Sequence, residues 1–184
     1  MRSIQGIRVN PRPAMAMVMV AMVAAAAMLL TATPSRADST TPLPTIRVVS
    51  DQAGQRLQVD GRDFMVLGMN WDYYPIGTNY SYDLWSQPDD FIQTALEREM
   101  PLLRGMGVNA VRLGSNVPPR WVRYIYERYG IFTVVNHTIG RYGYTLDGVW
   151  YKTVDYSDPR FRDALKGEML ALVEQFRGTP GVLM

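Results

Sequence analysis

Residues 102–135 read LLRGMGVNAVRLGSNVPPRWVRYIYERYGIFTVV, and this stretch decides the fold class. The short apolar run 108–113 predicts a strand, and residues 120–129 predict a helix that ends at Gly130, a residue suited to a helix C-terminus. The β-branched run 131–135 predicts the next strand. A strand, a helix and a strand in this order predict two parallel strands joined by a right-handed crossover.

The same alternation continues in both directions. Towards the N-terminus, residues 66–71 form a run that is apolar on both faces, as expected for a strand inside a parallel sheet. A helix is predicted from about Pro88, and Pro101 is expected to kink or interrupt it. Its apolar residues recur with a period near 3.6, namely Phe91, Ile92, Ala95, Leu96, Met100, Leu103 and Met106.

The last predicted helix has clear boundaries. Asp158 is a suitable N-cap, Pro159 fits the first turn, and Gly178 ends the helix. One apolar stripe is predicted on it, formed by Phe161, Leu165, Met169, Leu172, Val173 and Phe176. Residues 181–184 resemble the start of a buried strand with no polar segment after it, so we expect the chain to be the front part of a larger domain.

These elements predict the α/β class, with about four strands and three helices after a short β meander at 45–67. The meander is indicated by alternating apolar residues and by the hairpin signal Asp60-Gly61. Two architectures remain open at this point. One is an open doubly wound sheet, and the other is the first half of an eight-stranded (β/α)8 TIM barrel. The first βα loop is long and aromatic and lacks G-x-G-x-x-G, which disfavours a nucleotide site.

The N-terminus predicts export. Arg2, Arg8 and Arg12 precede an uncharged stretch, 14–30, and small residues lead to Ala37. This pattern is typical of a secretory signal peptide, 1–37, cleaved after Ala37; the alternative is an uncleaved membrane anchor. We therefore expect a secreted or periplasmic protein without stable membrane insertion after cleavage, comprising a linker at 38–44 and a domain at 45–184.

Composition excludes several classes of function. Four arginines precede residue 38, which leaves 15 lysines and arginines against 17 acidic residues in the rest of the chain, with no basic patch for nucleic acid. The chain has no cysteine and one histidine, His137. A histidine metal cluster or a Ser-His-Asp triad with a second histidine is therefore hard to build. We expect neither a metal nor a cofactor.

The candidate site follows from the strand ends, because α/β proteins bind ligands at the carboxyl ends of their parallel strands. These positions carry Asn70, Trp71 and Tyr73 after the first strand, Arg112 on the second, and Asn136, His137, Arg141 and Tyr142 after the third. Aromatic faces beside hydrogen-bonding side chains suit a sugar ring. Each residue type also has a structural alternative: packing for the aromatic residues, a structural hydrogen bond for the histidine, and a structural carboxylate partner for the arginine.

Four segments resemble retaining glycoside hydrolases with a (β/α)8 barrel, most closely the catalytic domain of glycoside hydrolase family 2, with families 5 and 72 as looser alternatives. GRDFMVLGMNW (61–71) is similar to the family's first strand, and LLRGMGVNAVR (102–112) to its second. YGIFTVV (129–135) resembles the third strand, and FRGTPGV (176–182) the approach to the fourth. The resemblance covers 61–184 and implies a glycosidase acting on an oligosaccharide or glycoside.

The resemblance also implies a mechanism and site roles. Retaining hydrolysis uses two carboxylates about 5–5.5 Å apart. In this family the acid/base Glu follows an Asn at the end of the fourth strand, and the nucleophile Glu ends the seventh, so we expect neither in this chain and no activity from it alone. Arg112 matches an arginine that lies near the nucleophile, and Asn70 and Trp71 match the mouth of the first strand. Asn136 and His137 stand where many family 2 members have an acidic pair.

A second hypothesis belongs to a different class of protein. In this hypothesis the chain is a non-catalytic, exported carbohydrate-binding or interaction module that uses its aromatic loop. It predicts a soluble monomer that binds oligosaccharide, whereas half a barrel predicts an open sheet edge and aggregation.

Overall fold

The computed structural model describes residues 42–52 and 54–184, and the fold within these residues is α/β. The predicted signal peptide, 1–37, and the first part of the predicted linker lie outside the described residues. Within the described ranges, the helices are all too short or too polar to cross a bilayer.

A three-stranded antiparallel meander comes first. Strands β1 (Ile46–Asp51), β2 (Gly54–Val59) and β3 (Arg62–Asp63) pair in that order. The turn between β2 and β3 has positive φ at both Asp60 and Gly61, as a tight hairpin requires. The meander was predicted to extend to residue 67, and this is wrong, because beyond β2 only Arg62 and Asp63 of this range are paired.

The main sheet is parallel and follows chain order. It contains β4 (Gly68–Asn70), β5 (Ala110–Gly114) and β6 (Phe132–Asn136), arranged β4-β5-β6. Residues 181–184 extend the sheet beyond β6, since the N–H of Leu183 donates to the carbonyl of Thr133 at 2.8 Å and Val135 donates to Met184 at 2.9 Å. Each crossover connection therefore places the next strand on the same side of the previous one.

Three helices connect the strands. They are α1 (Asp89–Gly105), α2 (Pro119–Tyr129) and α3 (Pro159–Phe176), with a 3₁₀ turn at Leu84–Ser86 before α1. The predicted boundaries of α3 are confirmed, because the Asp158 carboxylate caps it by accepting from the N–H of Arg160. Gly130 ends α2 with φ of 66°, in the left-handed conformation that glycine adopts without steric cost.

Two details of the helices differ from the prediction. Helix α1 continues through Pro101, so the interruption predicted as one of two outcomes is wrong. Pro101 is exposed, so the carbonyl that loses its helical hydrogen bond is on the solvent side. On α3, Val173 is exposed, whereas Phe161, Leu165 and Phe176 are buried. The apolar stripe is therefore narrower than its sequence pattern predicts.

All three helices contribute to one core beneath one face of the parallel sheet. Val111 and Leu113 of β5 lie in this core together with Leu96 of α1, Ile125 of α2 and Phe176 of α3. The alternate residues of the strands form a second cluster near the strand starts, where Ala110, Phe132 and Leu183 pack with meander residues Ile46, Leu57, Val59 and Phe64. A doubly wound sheet has helices on both faces, and here the meander takes part of the second face.

Strand β4 lies at the edge of the sheet described. Residues 66–71 were predicted to lie inside the sheet, and this is wrong for most of the run, since Val66, Leu67 and Met69 are exposed and only Trp71 is buried. The segment is attached by Asn109, whose side chain accepts from the N–H of Leu67 and donates to the carbonyl of Met65, both at 2.8 Å.

The segment between β6 and α3 contains a hairpin. Strands β7 (Tyr144–Leu146) and β8 (Val149–Tyr151) pair across Asp147 and Gly148, which both have positive φ. The Asp-Gly dipeptide between two alternating runs is a hairpin signal that the sequence carried. Leu146 packs with Val154, Phe161 and Leu165, which anchors the hairpin on α3.

Candidate functional site

A cleft of about 480 Å³ opens at the carboxyl ends of β5 and β6. Its volume falls within the range of small-molecule sites, roughly 300–1,000 Å³. It is lined by Arg112, Asn136, His137, Thr138, Ile139, Arg141, Tyr142 and Tyr156. Two of these side chains are cationic and none is a carboxylate.

Arg112 enters the cleft because it alternates with the buried residues Val111 and Leu113 along β5. Its Nη1 donates to Oδ1 of Asn70 at 3.3 Å, which ties the end of β4 to the cleft. Arg112 and Asn70 also line a neighbouring groove of about 430 Å³ on the open face of the sheet.

A carboxylate partner was expected for Arg112. In the part of the chain that the structure describes, no carboxylate forms an ion pair with this guanidinium. The side chain is exposed rather than held in a core, so water solvates its charge and no internal partner is needed. Its remaining N–H groups are therefore open towards the cleft.

His137 lines the cleft, but both of its ring nitrogens contact other protein groups. Nδ1 accepts from the N–H of Ile139 at 3.0 Å. Nε2 lies 3.4 Å from Oε2 of Glu168 on α3. We interpret His137 as a positioning residue for the loop after β6, which corresponds to the structural alternative raised from the sequence.

Glu168 also binds Tyr144 of the β7–β8 hairpin. Its Oε1 accepts from the hydroxyl of Tyr144 at 2.9 Å. This hydrogen bond, together with partial burial and the negative charge, raises the pKa of the Tyr144 hydroxyl. The same hydrogen bond links the hairpin to α3.

Ile139 has an unusual backbone conformation at the wall of the cleft. Its φ is 50°, in the left-handed region that β-branched residues rarely adopt. Such a residue costs about 1–3 kcal/mol and persists only where its surroundings hold it. Here His137 accepts from its N–H, and the hydroxyl of Tyr156 donates to its carbonyl at 2.8 Å.

Asn136 ends β6 opposite Gly114 and is partly buried in the cleft. Its amide offers two donors and one acceptor next to Arg112. Asn136 and Arg112 can therefore bind a ligand that presents several hydroxyl groups.

Trp71 and Tyr73 lie elsewhere. Trp71 is only 6% exposed, and its ring packs against Tyr73 at 6.5 Å and Trp85 at 6.2 Å between centroids. Together with Tyr82 and Asn116 they line a separate pocket of about 40 Å³, which is too small for a sugar ring. The predicted stacking role of Trp71 therefore does not fit its burial, and the aromatic loop packs on itself.

The structure thus brings Arg112, Asn136 and His137 together, adds Asn70 through its hydrogen bond to Arg112, and separates Trp71 and Tyr73 from them. Sequence reasoning missed Tyr156 and Glu168. Both lie far along the chain from the strand ends, and no local pattern marks them as neighbours of the site. Asn109 was also missed, although it directly precedes β5.

Among residues 42–52 and 54–184 no group of three or more His, Asp or Glu side chains is arranged to hold a metal ion. No family model, no curated protein and no solved structure matches this chain. The function is therefore argued from the geometry of the cleft and from the fold.

Proposed function

We propose that this chain forms the sugar-binding part of a retaining glycoside hydrolase with a (β/α)8 barrel. The observation that carries the proposal is the winding of the parallel sheet. Its strands follow chain order with α1, α2 and α3 contributing to one core beneath one face. A barrel is wound in this way, with helices outside and ligands at the carboxyl ends of the strands, where the Arg112 cleft opens.

The contents of the cleft support a sugar as the ligand. Arg112 and Asn136 offer several donors and one amide acceptor, and the exposed ring of Tyr142 offers an apolar face. A sugar ring has hydroxyl groups at its edge and C–H groups on its face, so it needs both kinds of partner. The hydrogen bond from Arg112 to Asn70 limits the freedom of the guanidinium before a ligand arrives, which lowers the entropic cost of binding.

The retaining mechanism requires two carboxylates flanking the glycosidic bond. The residues that line this cleft supply none. Under the proposal, the residues of this chain bind and orient the sugar, and the catalytic acids come from other strands of the barrel. We therefore expect the 184-residue chain to bind sugars without hydrolysing them.

Calorimetric titration and a hydrolysis assay test the proposal together. We expect a monosaccharide such as glucose, galactose or mannose to bind, and Arg112→Ala to weaken its binding about tenfold, as loss of one charge-assisted hydrogen bond predicts. Arg98→Ala is the matched control, because Arg98 is an exposed arginine on α1 that does not line the cleft.

Two results would contradict the proposal. If Arg112→Ala and Arg98→Ala changed the sugar affinity equally, Arg112 would not belong to the sugar site. Turnover of aryl glycosides by the chain above the background rate would show that two carboxylates from other strands are not required.

A non-catalytic carbohydrate-binding module is the second candidate, and the absence of a carboxylate from the cleft lining favours it. Light scattering at rising protein concentration separates the two. Half a barrel is expected to self-associate through the exposed residues Met65, Val66, Leu67 and Met69 at the sheet edge. A binding module is expected to stay monomeric while it binds the same sugars.

A further inference from the structure

The β7–β8 hairpin has one buried face and one open face. Tyr144 and Tyr151 form a cross-strand pair, and both rings pack against Phe161 of α3, with centroids 6.1 and 5.0 Å away. The next pair, Thr145 and Trp150, points to the opposite face because side chains alternate along a strand. Trp150 is consequently 62% exposed.

The Trp150 ring packs against the backbone at Gly143. A Cβ atom at residue 143 would lie 2.2 Å from Cζ2 of Trp150, so the ring occupies space that only a glycine leaves free. Gly143 also has φ of 105°, which disfavours any other residue there. The ring is therefore held against the backbone while much of its surface remains open to solvent. An aromatic ring held in place loses little entropy when a ligand stacks on it.

The Trp150 ring packs on the backbone of a residue that directly follows the cleft lining. Gly143 follows Tyr142, which is exposed and lines the cleft together with Tyr156. The hydroxyl of Tyr156 is bound to the carbonyl of Ile139, so this second aromatic residue is also held in place. Exposed aromatic surface thus runs from the cleft towards the outer face of the hairpin.

We propose that Trp150 forms a second sugar subsite beside the Arg112 cleft, next to Tyr142 of the cleft lining. The ligand is then an oligosaccharide with one unit in the cleft and the next stacked on the hairpin. The choice of sugar as the ligand class rests on the proposed function, whereas the extension to a second unit rests on the hairpin alone. Aromatic faces suit this task because they bury the C–H face of a sugar ring without demanding a particular linkage.

Titration with ligands of increasing length tests the second subsite. The probes are glucose, cellobiose and cellotetraose, with the mannose and galactose series in parallel. We expect the affinity of the 184-residue chain to rise about fivefold to tenfold from monosaccharide to disaccharide in at least one series, the gain typical of one aromatic contact. In Trp150→Ala the gain should vanish while monosaccharide affinity stays the same, and Trp150→Phe should retain most of the gain.

Tyr80→Ala is the matched control, because Tyr80 is an exposed aromatic residue outside the cleft lining. It should leave the length dependence intact. If the affinity of Trp150→Ala still rose from monosaccharide to disaccharide, the second subsite would be wrong. The proposed monosaccharide site in the cleft would be unaffected. No binding by any sugar in the three series would instead overturn the proposed function and the subsite with it. Circular dichroism of each variant checks that the hairpin and helices remain folded.

Discussion

Val111 and Arg112 are neighbours on β5 and face opposite sides of the same sheet. Val111 is fully buried in the core that α1, α2 and α3 share, and Arg112 is exposed in the cleft. Adjacent positions on the strand thus alternate between the core and the cleft. The helix-covered face of the sheet stabilises the fold, and the other face carries the candidate site.

The face of the sheet opposite the helices differs between the starts and the ends of the strands. Near the strand starts, Ala110 and Phe132 pack against the meander, with the rings of Phe64 and Phe132 5.3 Å apart. Near the strand ends, Arg112 and Asn136 line the cleft. The meander closes one end of this face and leaves the other end accessible to a ligand.

The largest effect is expected inside the helix-covered face. Leu96→Ala should lower the free energy of unfolding by about 2–5 kcal/mol, because this side chain is 0% exposed and its removal leaves a cavity. Leu102→Ala on the same helix is the control, since Leu102 is 63% exposed and should change stability by no more than about 0.5 kcal/mol. Urea unfolding followed by circular dichroism measures both. Similar losses in the two variants would contradict the assignment of the core.

The attachment of β4 should have an intermediate effect. Asn109→Ala removes two side-chain hydrogen bonds to the backbone of Leu67 and Met65, which predicts a loss of about 1–2 kcal/mol. Asn109→Asp keeps the acceptor for Leu67 and loses the donor to Met65, so its loss should be smaller. Hydrogen exchange at the Leu67 amide should speed up in the alanine variant and much less in the aspartate variant. Unchanged exchange in the alanine variant would contradict the attachment.

A pH-dependent effect is expected at the start of α3. The side chain of Arg160, together with its backbone N–H, lowers the pKa of the Asp158 carboxyl below its ordinary value. A lowered pKa in the folded state means that the carboxylate stabilises the protein above about pH 4 and loses this contribution as the pH falls through the folded pKa. The melting temperature of Asp158→Ala should therefore fall below that of the unaltered chain at pH 7 and approach it in strong acid.

Asp158→Asn separates the charge from the cap, because asparagine keeps the oxygen that accepts from Arg160. Its melting temperature at pH 7 should lie between those of the other two proteins. A constant difference between the unaltered chain and Asp158→Ala from pH 7 to pH 2 would contradict the role of the charge.

The smallest effect on stability is expected on the open face. Arg112→Ala should change the free energy of unfolding by no more than about 0.5 kcal/mol, although it weakens sugar binding, because the side chain is exposed and its one hydrogen bond is long. Val111→Ala should cost more than about 1 kcal/mol, since it removes buried methyl groups from the adjacent position. Urea unfolding of this pair of neighbours tests the contrast directly. A larger loss for Arg112→Ala than for Val111→Ala would reverse the assignment of the two faces.

Helix and strand order were predictable because they depend on local signals. Asp158 and Gly130 end their helices in the structure as the sequence predicts, through a side-chain cap and a left-handed residue. The β7–β8 hairpin carried its own Asp-Gly signal. The burial of β4 was wrongly predicted, because an apolar run looks the same at the centre of a sheet and at its edge.

The candidate site was only partly predictable. The rule that ligands bind at strand ends selected Arg112, Asn136 and His137, which line one cleft. The same rule selected Trp71, which packs against Trp85 instead. The direction in which a loop side chain points is set by packing between residues far apart in the chain. A rule based only on strand ends does not predict this direction.

The sequence by itself determined the α/β class, the order of the elements and most of their ends, because caps, turns and periodicity act over a few residues. Tertiary structure alone decided which side of the sheet the helices cover, that the ring nitrogens of His137 bind Ile139 and Glu168, and that Gly143 makes room for Trp150. These outcomes depend on contacts between segments far apart in the chain, and such contacts exist only when the whole chain has packed.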